Sequence, residues 1–234
     1  MSLENLIEKY VPEDFSYQIS LEHHLNLFMK NHSIQTVLDL GCGIGNSADL
    51  FCKINPKITW IGIDIEDSPE VKARKRSDLK FMTFDGITLP FPDNHFDLIY
   101  SKQVFEHVRF PNQLLKEVFR VLKPGGHFLG STSHLEPYHS HSFWNYTPYG
   151  FIMLLDEVGL ETKEMRPSID ALTLIIRRIM GGGKFFSVFW KFDSPLNVAL
   201  ELVGRLIGKN ARWRNIVKLL FCGQFLFVAK KPLS

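Results

Sequence analysis

Short apolar runs rich in β-branched and aromatic residues recur along the chain: TVLDL (36–40), ITWIGI (58–63), LKFMTF (79–84), FDLIY (96–100) and HFLGST (127–132). They are continuous rather than alternating, as expected of strands covered on both faces. Helix-like patterns separate them. In PNQLLKEVFRVLKPGG, Pro111 opens the pattern, Leu114, Leu115, Val118, Phe119 and Leu122 share one face, and Pro124-Gly125-Gly126 stops it. In YTPYGFIMLLDEVG, Thr147 caps, Pro148 takes the first helical position and Gly159 terminates. Strands alternating with helices predict an α/β domain built on a parallel sheet. Two later runs, LETKEMRP (160–167) and QFLFVAK (224–230), read as a closing antiparallel pair, yet residues 168–223 lie between them. A hairpin needs only a few residues there, so 168–223 is read as a helical insertion that covers the substrate. Residues 1–30 read as an amphipathic helical cap, broken near Pro12.

Charge sharpens this division. The net charge is −6 over residues 1–166 and +8 over residues 167–234, a split hidden by the overall +2. The C-terminal third is therefore expected to meet an anionic partner. Cys42, Cys52 and Cys222 are odd in number and far apart, which argues against a disulfide framework or zinc site. The N-terminus has acids and no basic flank before an apolar core, and no apolar run reaches the ~18–20 residues that span a bilayer. A cytoplasmic protein with peripheral membrane contact is expected; its oligomeric state is not legible.

Candidate chemistry gathers at strand ends. A strand carrying Asp39, then Gly41, Cys42, Gly43 and Gly45, then a helix, forms a nucleotide-cofactor turn in which bare backbone approaches a ligand closely. Asp64 follows the second strand, 25 positions on, where a carboxylate accepts ribose hydroxyls. Asp85 follows the third strand and is placed for an exocyclic adenine amine, with Ile65 and Ile87 as apolar plates and Gly86 between. Ser101 and Gln103 follow the fourth. A dinucleotide-binding dehydrogenase fits less well, because its GxGxxG requires glycine where Asn46 stands.

Taken together, VLDLGCGIG, GID, FPDNHFDLIYS with EHV, and LKPGG make residues 35–132 resemble the class I S-adenosylmethionine-dependent methyltransferases, in their small-molecule branch. The resemblance implies a three-layer, doubly wound, mostly parallel seven-stranded sheet ordered 3-2-1-4-5-7-6, with strand 7 antiparallel. It implies S-adenosylmethionine as cofactor, Asp39, Gly41 and Gly43 around its methionine portion, Asp64 at ribose and Asp85 at adenine. The insertion departs from the minimal pattern.

For an oxygen acceptor a general base is needed, and His107, His139 and His141 are the candidates, with His134 beside them. The spacing HxxxxHxH lacks an accompanying carboxylate pattern, so no metal is expected. The acceptor is read as a small-molecule, lipid-linked or saccharide-type compound. The insertion, with Phe185, Phe186, Phe189, Trp190 and Phe192 among cations, points to anionic lipid or a lipid-linked substrate. Nucleic acid is disfavoured by the acidic front half, and a non-catalytic cofactor-binding module remains the alternative.

Overall fold

A computed structural model describes residues 6–182 and 184–233. The strands are β1 (Thr36–Leu40), β2 (Thr59–Ile65), β3 (Phe81–Phe84), β4 (Phe96–Lys102), β5 (Leu122–Ser133), β6 (Glu161–Pro167) and β7 (Gln224–Lys230). They form one sheet in the order β3-β2-β1-β4-β5-β7-β6, with β7 antiparallel to both neighbours. The helices are α1 (Leu21–Lys30), α2 (Asn46–Ile54), α3 (Pro69–Lys72), α4 (Pro111–Val121), α5 (Pro148–Glu157), α6 (Ala171–Ile179), α7 (Pro195–Leu206) and α8 (Ala211–Phe221).

Consecutive strand residues point to opposite faces, and the core divides accordingly. Leu38, Leu40, Phe128, Phe225 and Phe227 join one buried cluster with Leu115, Val118 and Phe151. Their neighbours Val37, Leu129, Leu226 and Val228 join a second with Leu25, Phe28 and Phe51. This makes three layers, as the apolar pattern and the resemblance imply. The α5 signals also hold: Thr147 Oγ1 accepts from Gly150 N and Gly159 has φ 87°.

The structure corrects three readings. Helix α4 ends at Val121, before the Pro-Gly-Gly stop, because Lys123 precedes proline and is biased to extended backbone. LKPGG instead becomes an irregular start of β5, where the pairing with β4 steps from Phe96↔Leu122 to Leu98↔His127. Strand β4 runs on through Ser101 and Lys102 rather than ending at Tyr100.

The N-terminal cap is the third correction. Residues 1–5 lie outside the described residues; beyond them Leu6 and Ile7 are helical and lead into a 3-10 turn at Glu8–Tyr10, and what departs from the helical reading is the irregular stretch from Val11 to Ser20, which caps α1. That stretch spends its polar groups on distant chain. Gln18 donates to the Phe189 carbonyl (2.6 Å) and accepts from Ser194 and Asn197. Asn215 donates to the carbonyls of Pro12 and Phe15.

Strand β6 is parallel to β5 because both run antiparallel to β7. Its end at Pro167 therefore lies at the same sheet edge as Leu40, Ile65 and Lys102. The insertion leaves and returns at that edge.

Candidate active site

Three glycines build the bend after β1. Gly41, Gly43 and Gly45 have φ of 71°, 51° and 85°, conformations that side chains rarely adopt. A Cβ on Gly41 would lie 2.3 Å from Val104 Cγ2, and one on Gly45 2.7 Å from the Phe81 ring. Gly41 N and Cys42 N both donate to the Ile63 carbonyl, fastening the bend to β2. Arg74 completes it: Nε donates to Gly43 O (2.7 Å), Nη2 to Cys42 Sγ (3.1 Å), and the guanidinium lies 4.2 Å from the Phe81 ring centre. Burial, then the nearby Asp39, pushes the Cys42 thiol up to about 12, so it stays protonated. Arg74 went unnoticed in sequence because KARKR reads as a solvated charge run.

The three acids have different surroundings. Asp39 is buried beneath the bend and accepts from Ser47 Oγ, itself bonded by Trp60 Nε1 (3.1 Å). Burial pushes its carboxyl up to about 7, against the Ser47 hydrogen bond and with the help of Asp64. Asp39 thus braces the turn from below. Asp64 stands at the end of β2, where Oδ2 accepts Gly43 N and Oδ1 accepts Ile65 N, both at 2.8 Å. Burial raises its pKa; those two amides act in opposition. A carboxylate has about four lone-pair positions, so a diol still finds acceptors there. Asp85 is exposed and spends Oδ1 on Ile87 N and Thr88 N, which hold its pKa low. Ile65 is also exposed, and a Cβ on Gly86 would touch it at 3.4 Å, so Ile65 lies beside the turn that follows Asp85.

Past β4 a second polar group assembles. Gln103 has φ 54°, a strained conformation for a side-chain residue and one that clusters at functional sites. Its amide lies within hydrogen-bond distance of Ser131, Ser133, Glu106 and Gln224. Glu106 is fully buried and accepts from Thr132 Oγ1 (3.1 Å) and Ser133 Oγ (3.2 Å); burial pushes its carboxyl up to about 7. The His107 and His139 rings meet edge to face at 5.2 Å. Burial, then His139, lowers the pKa of His107, leaving it neutral near pH 7.

Glu106, His107 and His139 each bring one ligand-capable atom within 4.8 Å of the others, the one such group among the described residues. The carboxylate that the histidine spacing lacked is therefore supplied from 33 positions upstream of His139. Its signal was present in FEHV but hidden between apolar neighbours.

One expected residue, Ser101, does not join. Ser101 is wholly buried within β4, so it does not line the crevice; its in-strand position is the reason. His141 is exposed, and His134 is held by the Tyr146 carbonyl (2.9 Å). Val104, against Gly41, joins the glycine bend to this second group. A concavity of about 400 Å³ lined by Glu8, Lys209, Arg212 and Trp213 lies away from both.

Residues 38–130 match the family model described as a methyltransferase domain. The chain is 36% identical over 124 residues to a sterol 24-C-methyltransferase of Pneumocystis carinii, a match covering 49% of this chain and 32% of that protein. It is 35% identical over 100 residues to a phosphoethanolamine N-methyltransferase of Triticum aestivum, covering 41% and 20% respectively. The matches thus span a third or less of these relatives. Among solved structures, the complex of the Haloferax volcanii Trm112 methyltransferase activator with a methyltransferase aligns at TM-score 0.58 and 22% identity, over 90% of this chain and 88% of that one. At that identity the likeness shows the fold.

Proposed function

We propose that the chain, whose residues 38–130 match a methyltransferase-domain model, is a class I S-adenosylmethionine-dependent methyltransferase that transfers a methyl group to a small-molecule acceptor. One observation carries this reading: Val104 packs on Gly41, so a bend built on glycines adjoins an acid–histidine group assembled beyond the ends of β4 and β5. The cofactor, when bound, supplies an electrophilic sulfonium methyl. The residues present fit it. Gly41–Gly45 present bare backbone to its methionine portion, Asp64 retains acceptors for its ribose, and Asp85 with Ile65 and Ile87 suits its adenine.

The half-buried Asp64 carboxylate places negative potential beside the bend, to which the buried Asp39 adds when ionised, and this favours a cationic ligand over its neutral product. On the acceptor side, His107 and His139 take the proton. Glu106, enclosed behind them, is a positioning residue. Alignment and exclusion of water supply the rest of the rate. Relatives named for carbon and nitrogen acceptors support a small molecule without fixing the atom.

The test follows label from S-adenosylmethionine into aqueous and solvent-extracted acceptors. His139→Ala is expected to lower kcat about 10²- to 10⁴-fold, the usual contribution of general base catalysis, with cofactor affinity unchanged. For Glu106→Gln the part of the acidic limb that the Glu106 carboxyl contributes near pH 7 should disappear, since the amide does not titrate. Unchanged rates in both variants refute the base assignment. Turnover abolished by chelation and restored by a divalent metal would reassign the trio as ligands. Cofactor binding without transfer to any acceptor would favour the non-catalytic module.

A further inference from the structure

The insertion inverts the usual pattern of a surface helix. Leu172, Ile175, Ile176 and Ile179 make one helical stripe on α6, and all are exposed. Val198, Leu202, Val203 and Leu206 repeat this on α7, which packs against α6. Met180, Phe185 and Phe192 project from the connection between them. Exposure reaches 79% at Ile179, 74% at Phe185 and 85% at Leu206. Such stripes ordinarily face a core, and contiguous exposed apolar surface marks an interaction face.

Charge selects the partner. Residues 168–223 hold nine cations and three acids, and each acid is engaged within the fold. Asp170 is fully buried and caps α6 through Thr173 N (2.7 Å); Asp193 accepts Gln18 N (2.7 Å). Glu201 accepts from Ser16 and pairs with Lys218, Arg205 and Arg214. Arg178 and Lys191 remain exposed beside the apolar tips. The outer face therefore combines large aliphatic and aromatic groups with positive charge. Among the described residues no helix is long and apolar enough to cross a membrane.

We propose that α6, α7 and the segment joining them dock this protein on the surface of an anionic phospholipid bilayer. The apolar tips enter the acyl boundary while Arg178 and Lys191 meet headgroup phosphates. Gln18, through Phe189, Ser194 and Asn197, fixes the platform to the N-terminal stretch. Because the insertion leaves and returns at the crevice edge of the sheet, docking presents that edge towards the bilayer. The surface is separate from the cofactor crevice and acts with or without cofactor.

Co-sedimentation of the full chain with phosphatidylglycerol–phosphatidylcholine vesicles, and with phosphatidylcholine alone, tests this. The protein is expected to pellet with the anionic vesicles and to be released by salt. I179E/F185E and R178E/K191E should each lower anionic partitioning about tenfold or more, while cofactor affinity, measured alongside as a check of folding, stays unchanged. Equal recovery in the supernatant with both vesicle types overturns the proposal. So does a stable dimer that I179E/F185E dissociates and that ignores vesicles, because the face then receives a second copy. Neither result alters the methyl-transfer reading, which rests on binding and turnover at the other site.

Discussion

Asp64→Ala is expected to lower affinity for S-adenosylmethionine about 100- to 1000-fold, measured by calorimetric titration. Asp64 offers acceptors to two ribose hydroxyls, and hydrogen bonds to a charged group contribute about 1.5–3 kcal/mol each. About 3–4 kcal/mol of lost binding corresponds to that range at ~1.4 kcal/mol per factor of ten. The substitution also frees Gly43 N, which now donates to Oδ2, so the bend loses a brace. Folding stability should change little, because burial already disfavours the Asp64 carboxylate. A loss below about fivefold would remove Asp64 from the ribose site. Asp85→Ala makes a graded comparison: its carboxylate is exposed and keeps one oxygen on its own turn, so a smaller loss is expected.

The second large effect concerns the insertion. Lys218 has no exposed surface, and its ammonium meets the Ser16 carbonyl and Glu201 (2.7 Å). Glu201→Ala leaves that charge buried and unbalanced, which costs about 3–5 kcal/mol. A drop in Tm of about 6–20 °C is expected for a chain this size. E201L/K218M should recover most of it, since apolar replacement of both partners is often tolerated.

Burial pulls the Glu201 pKa upwards, but hydrogen bonds from Lys218, Arg205 and Ser16 outweigh it and bring the group to about 2. A carboxyl depressed in the folded state stabilises above its unfolded value, near 4.5. That stability is lost as pH falls through about 2. Wild type should therefore lose stability across this acid range more steeply than E201L/K218M. Parallel profiles would contradict the assignment.

The sheet was legible because its strands are covered on both faces, so TVLDL and FDLIY show as apolar runs, and because β7 carries unbroken apolar residues at QFLFVAK. Even the bend was legible, since GxGxG has few uses. What escaped notice depends on partners far away in sequence. The stretch before α1 looked helical because its bonds to Ser194, Asn197 and Asn215 leave no local trace. Ser101 was misplaced by two residues of strand, enough to move a hydroxyl from the crevice into the sheet. The positive charge of the last third overstated the free cations, because Glu201 consumes Lys218, Arg214 and Arg205 and Glu13 pairs with Arg212. Glu106 joined the histidines only through the fold.

The most direct measurement is a crystal structure grown with S-adenosylhomocysteine at saturating concentration. Density is expected over Gly41–Gly45, with the ribose hydroxyls on Asp64 and the adenine between Ile65 and Ile87, its amine towards Asp85. An empty crevice, or the ligand bound elsewhere on the molecule, would contradict the account.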